Sequence, residues 1–437
     1  MVLHEARRNG VAHGDRPRPP FYERILDALG PGLITGASDD DPSGIGTYSQ
    51  AGAQLGFAIG WTMLFSYPLM VAIQETSARI GRTTGHGIAG AIRAHYPGWL
   101  LHSVVTLLFL TNIITIGADL SAMGDAIKLL IGGPRALYVV LLAAACAGLQ
   151  IFVSYKRYAP FLKWMTLSLF AYFAALLVVK VDWLAFARGV LFPSFSPDPE
   201  FWTTVVAVLG TTISPYLFFW QAAQECEDIR AHPERQALAK APRQGPSEID
   251  RIRADTYVGM AVSNLVALAI IATTAATLHA EGMHDIRTSA EAAAALKPLA
   301  GEFAFVLFAL GIVGTGMLAI PVLAGSTAYA LAEARRWPFG LAKQPQRAPA
   351  FYGTIAAATL LGVLINFLPL DPIRALFLSA VVNGIVAAPV MAVIMLMATR
   401  RDIMGRFVIG RGLRIFGWTG TAVMTAASLA MLAAAVF

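Results

Sequence analysis

The chain has 437 residues, of which 56% are hydrophobic and 14% charged, with a mean hydropathy of +0.60. A water-soluble domain carries roughly a quarter charged residues, so this composition excludes a soluble protein and defines an all-α polytopic membrane protein. The formal net charge of +6 suggests nucleic acid only until the charges are placed along the chain, where they fall in the loops of one side.

The first 24 residues are polar and rich in Arg and Pro, with no apolar core, and are expected to form a cytosolic tail rather than a cleavable signal. Apolar segments long enough to cross a bilayer follow near 28–54, 56–78, 99–123, 137–155, 158–179 and 202–224, then near 257–280, 304–332, 350–369, 372–398 and 415–437. Eleven transmembrane helices are therefore expected. Most of the 33 lysines and arginines lie in the tail and in the alternate loops that share its side. The positive-inside rule then sets the N-terminus in the cytosol and the C-terminus outside. The two cysteines, Cys146 and Cys226, are far apart in sequence, and no CxxC or Cys/His cluster exists, so neither a disulfide framework nor a zinc site is expected.

The first span contains "GASDDDPSGIGTYSQ" (36–50), three consecutive aspartates and a proline inside an apolar segment. Carboxylates at membrane depth are costly, and proline interrupts the helix that would satisfy the backbone. The sixth span, "VAVLGTTISPYLFFWQAAQ" (206–224), places small and hydroxyl residues just before Pro215. If the chain consists of two five-helix repeats plus one helix, these two interruptions fall at matching positions, the sequence pattern of a midplane binding site. Unwound carbonyls together with Asp39, Asp40 and Asp41 offer hard oxygen to a cation. Pro215 taken alone is equally compatible with a plain kink, since proline is common in membrane helices.

The residues of these segments resemble the Nramp family of divalent metal transporters. "GPGLITGASDDDPSG" (30–44) is similar to the family's first-helix region, whose core is Asp-Pro-Gly-Asn. "QETSARIGRTTGHGIAGAIRAHYP" (74–97) resembles the end of the second helix, with Gln74, Arg79, Gly81, Thr84 and Gly85 in register. "GADLSAMGDAI" (117–127) resembles the third, and "TSAEAAAALKPLAGEFAFVLFALGIVGTGM" (288–317) the loop and start of the eighth. The resemblance implies a LeuT-type fold with 5+5 inverted repeats plus one helix and with helices 1 and 6 broken. It also implies a core over 25–400, with repeats at about 25–180 and 202–400, and an eleventh-helix region at 401–437. The implied partners are a divalent metal ion as substrate and the lipid bilayer, with no nucleic acid and no cofactor; the oligomeric state stays open.

The same resemblance implies the metal ligands. Asp41 keeps the motif's Asp, Gly44 stands where Asn is expected, and Ser214-Pro215-Tyr216 replaces Met-Pro-His. Ser38 and Thr211 are the implied carbonyl donors. Loss of the soft sulfur favours hard ions such as Mg²⁺, and small residues leave room for a partly hydrated one. The family's proton route is thinned: Asp119 survives, but Ala122, Tyr216 and an arginine-free ninth span stand where Glu, His and arginines are expected. These substitutions resemble the Nramp-related magnesium transporters and predict Mg²⁺ (and Mn²⁺) transport without strong proton coupling. Proton-coupled import of Mn²⁺ or Fe²⁺ is the alternative. From another class, a LeuT-type carrier of an organic cation or amine stays open. No GxSxG or His/Ser pair lies within the spans, so an intramembrane enzyme is not expected.

Along the substrate pathway, Tyr216, Asp119, Asn383 and Gln221 are further candidates. Asp119 is read either as a residual ion path or as a helix-joining hydrogen bond. Asn383, one turn past Ala380, either takes over a polar tenth-helix contact or acts as interhelical glue. Gln221, with Gln224 and Glu225, either lines a cytosolic exit or marks an ordinary interfacial helix end.

Overall fold

The computed structural model describes residues 36, 38–153, 167–232, 234–367 and 371–436, and among them every regular element is helical. The principal helices in chain order are α1 (Pro42–Leu55), α2 (Trp61–Thr84), α3 (Ile88–His95), α4 (Gly98–Ile131), α5 (Arg135–Phe152), α6 (Ala171–Val178) and α7 (Trp183–Leu191). They continue with α8 (Pro199–Thr212), α9 (Pro215–Ala231), α10 (Gly245–Thr274), α11 (Ser289–Ala294), α12 (Ala304–Arg335), α13 (Pro349–Ile365), α14 (Pro372–Thr399) and α15 (Arg411–Val436). The tail at 1–24 and the opening of the first span lie outside the described residues.

Helices cover the described parts of the segments read from hydropathy; residues 154–166, which hold the start of the segment at 158–179, lie outside the described residues. Among the described residues, seven helical stretches are long and apolar enough to cross a membrane, and an eighth arises if the pair 42–59 and 61–84 is counted as one span. That pair turns by 107° at Gly60. Residues 167–178 and 349–365 form shorter apolar helices.

Prolines explain where many of the helices begin. Pro42, Pro199, Pro215, Pro349 and Pro372 all occupy the first turn, where the missing N–H costs nothing and the fixed φ suits a helix. Pro42 and Pro215 are therefore restarts after true breaks. Pro321 lies within α12, which runs on through it. The seventh span corrects the sequence reading: α10 begins at Gly245, a dozen residues before the apolar segment at 257–280. Hydropathy misses this extension because its charged residues pair with neighbouring helices, as in Arg251 with Glu225 at 2.5 Å.

The long helix α4 packs against α12, α13, α14 and α5, and α2 packs against α9, α10 and α15. The half-helix α1 lies between these groups and touches α4, α8, α10, α12 and α14. At one crossing, α8 and α14 meet backbone to backbone. A Cβ on Gly210 would strike the Ala380 carbonyl, and one on Gly384 would come within 2.6 Å of the Val206 carbonyl oxygen. Glycine at both positions lets the sixth span approach α14 this closely.

Candidate functional site

At the first break, residues 38 and 39 are helical, Asp40 and Asp41 are not, and α1 restarts at Pro42. Asp41 is the N-cap: its backbone is extended (φ −69°, ψ 171°), and its Oδ1 accepts the Gly44 N–H at 2.6 Å. The next free amide, that of Ser43, donates to Asp119 Oδ1 at 3.1 Å. Two carboxylates thus meet the positive end of a helix that starts at membrane depth. A side chain at Gly44 would crowd the break, since its Cβ would lie 3.1 Å from the Asp39 carbonyl oxygen and 3.3 Å from Thr211 Oγ1.

At the second break, α8 ends at Thr212, and Ile213 (ψ 60°) and Ser214 (ψ 131°) leave helical geometry before Pro215. The Ser214 hydroxyl folds back on the end of α8, with the Gly210 and Thr211 carbonyl oxygens as acceptors at 2.8 and 2.9 Å. Tyr216, in the first turn of α9, reaches across to the other break. Its hydroxyl lies 2.9 Å from the Ser38 carbonyl oxygen and 3.1 Å from Asp41 Oδ2. Ser38, Asp41, Thr211, Ser214 and Tyr216 are all closed off from solvent, with Thr211 the most exposed at 3%.

The three aspartates do not converge. Asp41 turns toward Tyr216, whereas Asp39 and Asp40 turn toward α10, where the Ser263 hydroxyl lies 2.5 Å from Asp39 Oδ2 and 3.2 Å from Asp40 Oδ1. Among the described residues, no three His, Cys, Asp or Glu side chains gather to hold a metal ion. A cation on Asp41 would therefore draw its remaining ligands from carbonyls, hydroxyls or water. Asn383 is buried and donates to Thr115 Oγ1 at 3.0 Å, which joins α14 to α4. Gln221 is fully buried on α9, past Tyr216.

Beyond the break, at the far end of α1, a cavity of about 460 Å³ is lined by Gln50, Gln54, Glu200, His284, Asp285 and Arg374, among others. Gln50 holds the 279–288 connection with both ends of its amide: Nε2 donates to the His284 carbonyl at 3.1 Å, and Oε1 accepts the Ile286 N–H at 2.8 Å. Gln50 is nine residues past Asp41, about 13 Å along a helix. Ile45 and Tyr48, between them in sequence, are both buried.

Ser43, one of the small residues with Gly44 and Ser214 that leave room for the ion, completes the polar centre together with Ser263 and Ser379, which were not picked out in the sequence. Ser43 Oγ lies 2.9 Å from Ser379 Oγ and 3.2 Å from the Leu376 carbonyl oxygen. Ser379 carries one available signal, its i, i+4 spacing from Asn383 on a single helix face. Ser263 carries none, because a lone serine in an apolar span is usually a local backbone donor.

Two interrupted helices meeting at a buried polar centre, inside a helical membrane bundle, define a LeuT-type transporter fold. A mutant of the manganese transporter of Eremococcus coleocola has this architecture: 16% sequence identity, TM-score 0.74, 95% of this chain and 87% of that one covered. The family model described as "Natural resistance-associated macrophage protein-like" matches residues 32–434, and the chain belongs to that Nramp family. Relatives include the divalent metal cation transporter MntH of Burkholderia ambifaria, 26% identical over 96% of this chain and 89% of its own length. The MntH of Pectobacterium carotovorum is 27% identical over 90% of each chain.

Proposed function

We propose that the protein carries a divalent metal cation across a membrane by alternating access, accepts Mg²⁺ beside Mn²⁺, and does so without obligatory proton coupling. The observation that carries this reading is the junction of Asp41, the Ser38 carbonyl and Tyr216 at the two helix breaks. Its donors are hard oxygens, and Ser214 occupies the position where the family motif has a soft sulfur. Thr211, at the end of α8, offers a carbonyl that the Ser214 hydroxyl also uses. Asp39 and Asp40 place further carboxyl oxygens on the α10 side of the same break.

Transport without protons needs another driving force. The membrane potential supplies about 2.3 kcal/mol per charge per 100 mV, roughly 4.6 kcal/mol for a divalent cation. The lysine and arginine asymmetry supports a cytosolic N-terminus, an external C-terminus and, from the bacterial relatives, an inner-membrane location. The outer cavity at Gln50 and Glu200 would then face the source of the ion.

One observation favours the proton-coupled alternative: Asp119 lies against the same break through Ser43. The two readings separate in proteoliposomes with the potential clamped and internal pH recorded, for the wild type and Asp41→Ala. Uptake of both Mg²⁺ and Mn²⁺ without acidification, abolished in the variant, is expected. Uptake of Mn²⁺ alone with stoichiometric acidification would replace this reading with the proton-coupled one. Absence of flux for either ion would shift attention to an organic cation.

A further inference from the structure

We infer that Tyr216 is a specificity-determining residue of this site, its hydroxyl oxygen forming one corner of the oxygen face that receives the cation. The inference rests on the divalent-cation reading and assigns Tyr216 a role at the ion rather than along the route to it. Its hydroxyl has one proton but two acceptors within hydrogen-bond range, the Ser38 carbonyl oxygen at 2.9 Å and Asp41 Oδ2 at 3.1 Å. Only one of the two can receive the proton at a time. The hydroxyl therefore serves the Ser38 carbonyl and the Asp41 carboxylate in alternation, in a place closed to bulk water.

The spacing matches a particular class of ion. Neighbouring oxygens on an octahedral ion with bonds of 2.0–2.1 Å are about 2.9 Å apart, so these oxygens can serve as adjacent ligands of Mg²⁺ with little movement. Mg²⁺ demands that near-ideal octahedron, whereas Ca²⁺ accepts irregular coordination, so losing one fixed oxygen costs Mg²⁺ more than Ca²⁺. The two separations also span the two broken helices, since Ser38 and Asp41 belong to the first span and Tyr216 to the sixth. In the ion-free site the hydroxyl proton bridges the oxygens that a cation would bridge. When the cation arrives, the tyrosine keeps its proton. The O–H turns about the C–O bond toward a water that the ion retains, and the lone pair is left facing the metal. Phenylalanine at 216 would preserve the buried ring and remove this corner alone.

The test is uptake by the full chain in proteoliposomes, comparing wild type, Tyr216→Phe, Tyr216→His and Asp41→Ala with Mg²⁺ as substrate and Ca²⁺ as competitor. Both Tyr216 variants are expected to raise KM for Mg²⁺ about tenfold, the size of one hydrogen bond to a charged group, with Vmax little changed. The inhibition constant of Ca²⁺ relative to that of Mg²⁺ should fall by a similar factor. An unchanged KM and unchanged Ca²⁺ discrimination in Tyr216→Phe overturns the inference, as does a loss confined to Vmax. If both variants fail to fold, 3-fluorotyrosine at position 216 keeps the hydroxyl and reports by ¹⁹F resonance. A shift with Mg²⁺ that choline does not produce supports the role, and no shift overturns it. Wild-type uptake by Asp41→Ala would instead remove the underlying reading of the site.

Discussion

The backbone N–H of Ser43 points at Asp119 Oδ1, 3.1 Å away, and ties the restart of the first helix to the middle of α4. The Ser43 side chain makes a second tie to α14 through Ser379 and the Leu376 carbonyl. One residue therefore anchors the broken helix to two neighbours at the level of its break.

Asparagine at position 119 keeps the acceptor for Ser43, and leucine does not. Asp119→Asn is expected to transport within about threefold of the wild type with an unchanged response to a pH gradient. Asp119→Leu should lose about 1–3 kcal/mol, since it strands a buried amide. Thermal unfolding in detergent measures the second effect and uptake the first. A steep loss of uptake in Asp119→Asn, with stability intact, would mark Asp119 as a proton carrier instead.

The division of the three aspartates predicts unequal variants. Asp41 faces Tyr216 and caps α1, while Asp39 and Asp40 share Ser263. Asp41→Asn should raise KM for the divalent ion about a hundredfold, as expected when an ionised oxygen that contacts the cation is neutralised. Asp39→Asn and Asp40→Asn should raise it by less than about tenfold, and Ser263→Ala by less still. Equal effects at all three aspartates would show that the carboxylates gather on the ion in the loaded state.

Much of this was legible in the sequence for a physical reason: a carboxylate or proline in an apolar span is costly, so each one marks a place where structure compensates. The breaks at Asp40–Asp41 and Ile213–Ser214 fall where "DDDPSG" and "TTISPY" place them. The direction of each side chain was not legible. Three consecutive aspartates across a helix break diverge, and only the backbone angles at Asp41 decide which one turns toward α9. Ser263 and Ser379 were hidden because a serine costs little in a membrane helix and leaves no mark on hydropathy. The early start of α10 was hidden because its charges are compensated by partners distant in sequence.

The Gly210–Gly384 crossing predicts a packing defect. Alanine at 210 would set its Cβ against the Ala380 carbonyl and the Gly384 backbone, neither of which can rotate away. Gly210→Ala should destabilise the protein by about 1–3 kcal/mol through overpacking, with a lower yield of monodisperse protein. Because Thr211 and Ser214 follow within one turn, the ion KM should also shift. Gly353, where a Cβ meets nothing within 4 Å, is the control and should tolerate alanine.

The ends of α2 and α9 and the start of α10 are joined by a buried cation. The Arg82 side chain is fully buried, with Nη1 3.2 Å from Asp228 Oδ2 and Nη2 3.3 Å from Glu248 Oε1. Arg235 reaches the same Asp228 at 2.5 Å from the connection between α9 and α10. That connection also lies along the end of α2, where the Leu238 and Ala239 amides donate to the Arg82 and Thr83 carbonyls at 3.1 Å each. Removing Arg82 leaves Asp228 to Arg235 and Glu248 to Arg251, at 2.9 Å, so the charges stay partly paired and the loss is about 1–3 kcal/mol. Lysine at 82 should recover only part of it, because a point charge cannot address two carboxylates as a planar fork does. Unfolding midpoints in the order wild type, Arg82→Lys, Arg82→Ala are expected. If Arg82→Ala keeps wild-type stability, then Arg235 alone holds Asp228, and the three helix ends are joined through the connection rather than through α2.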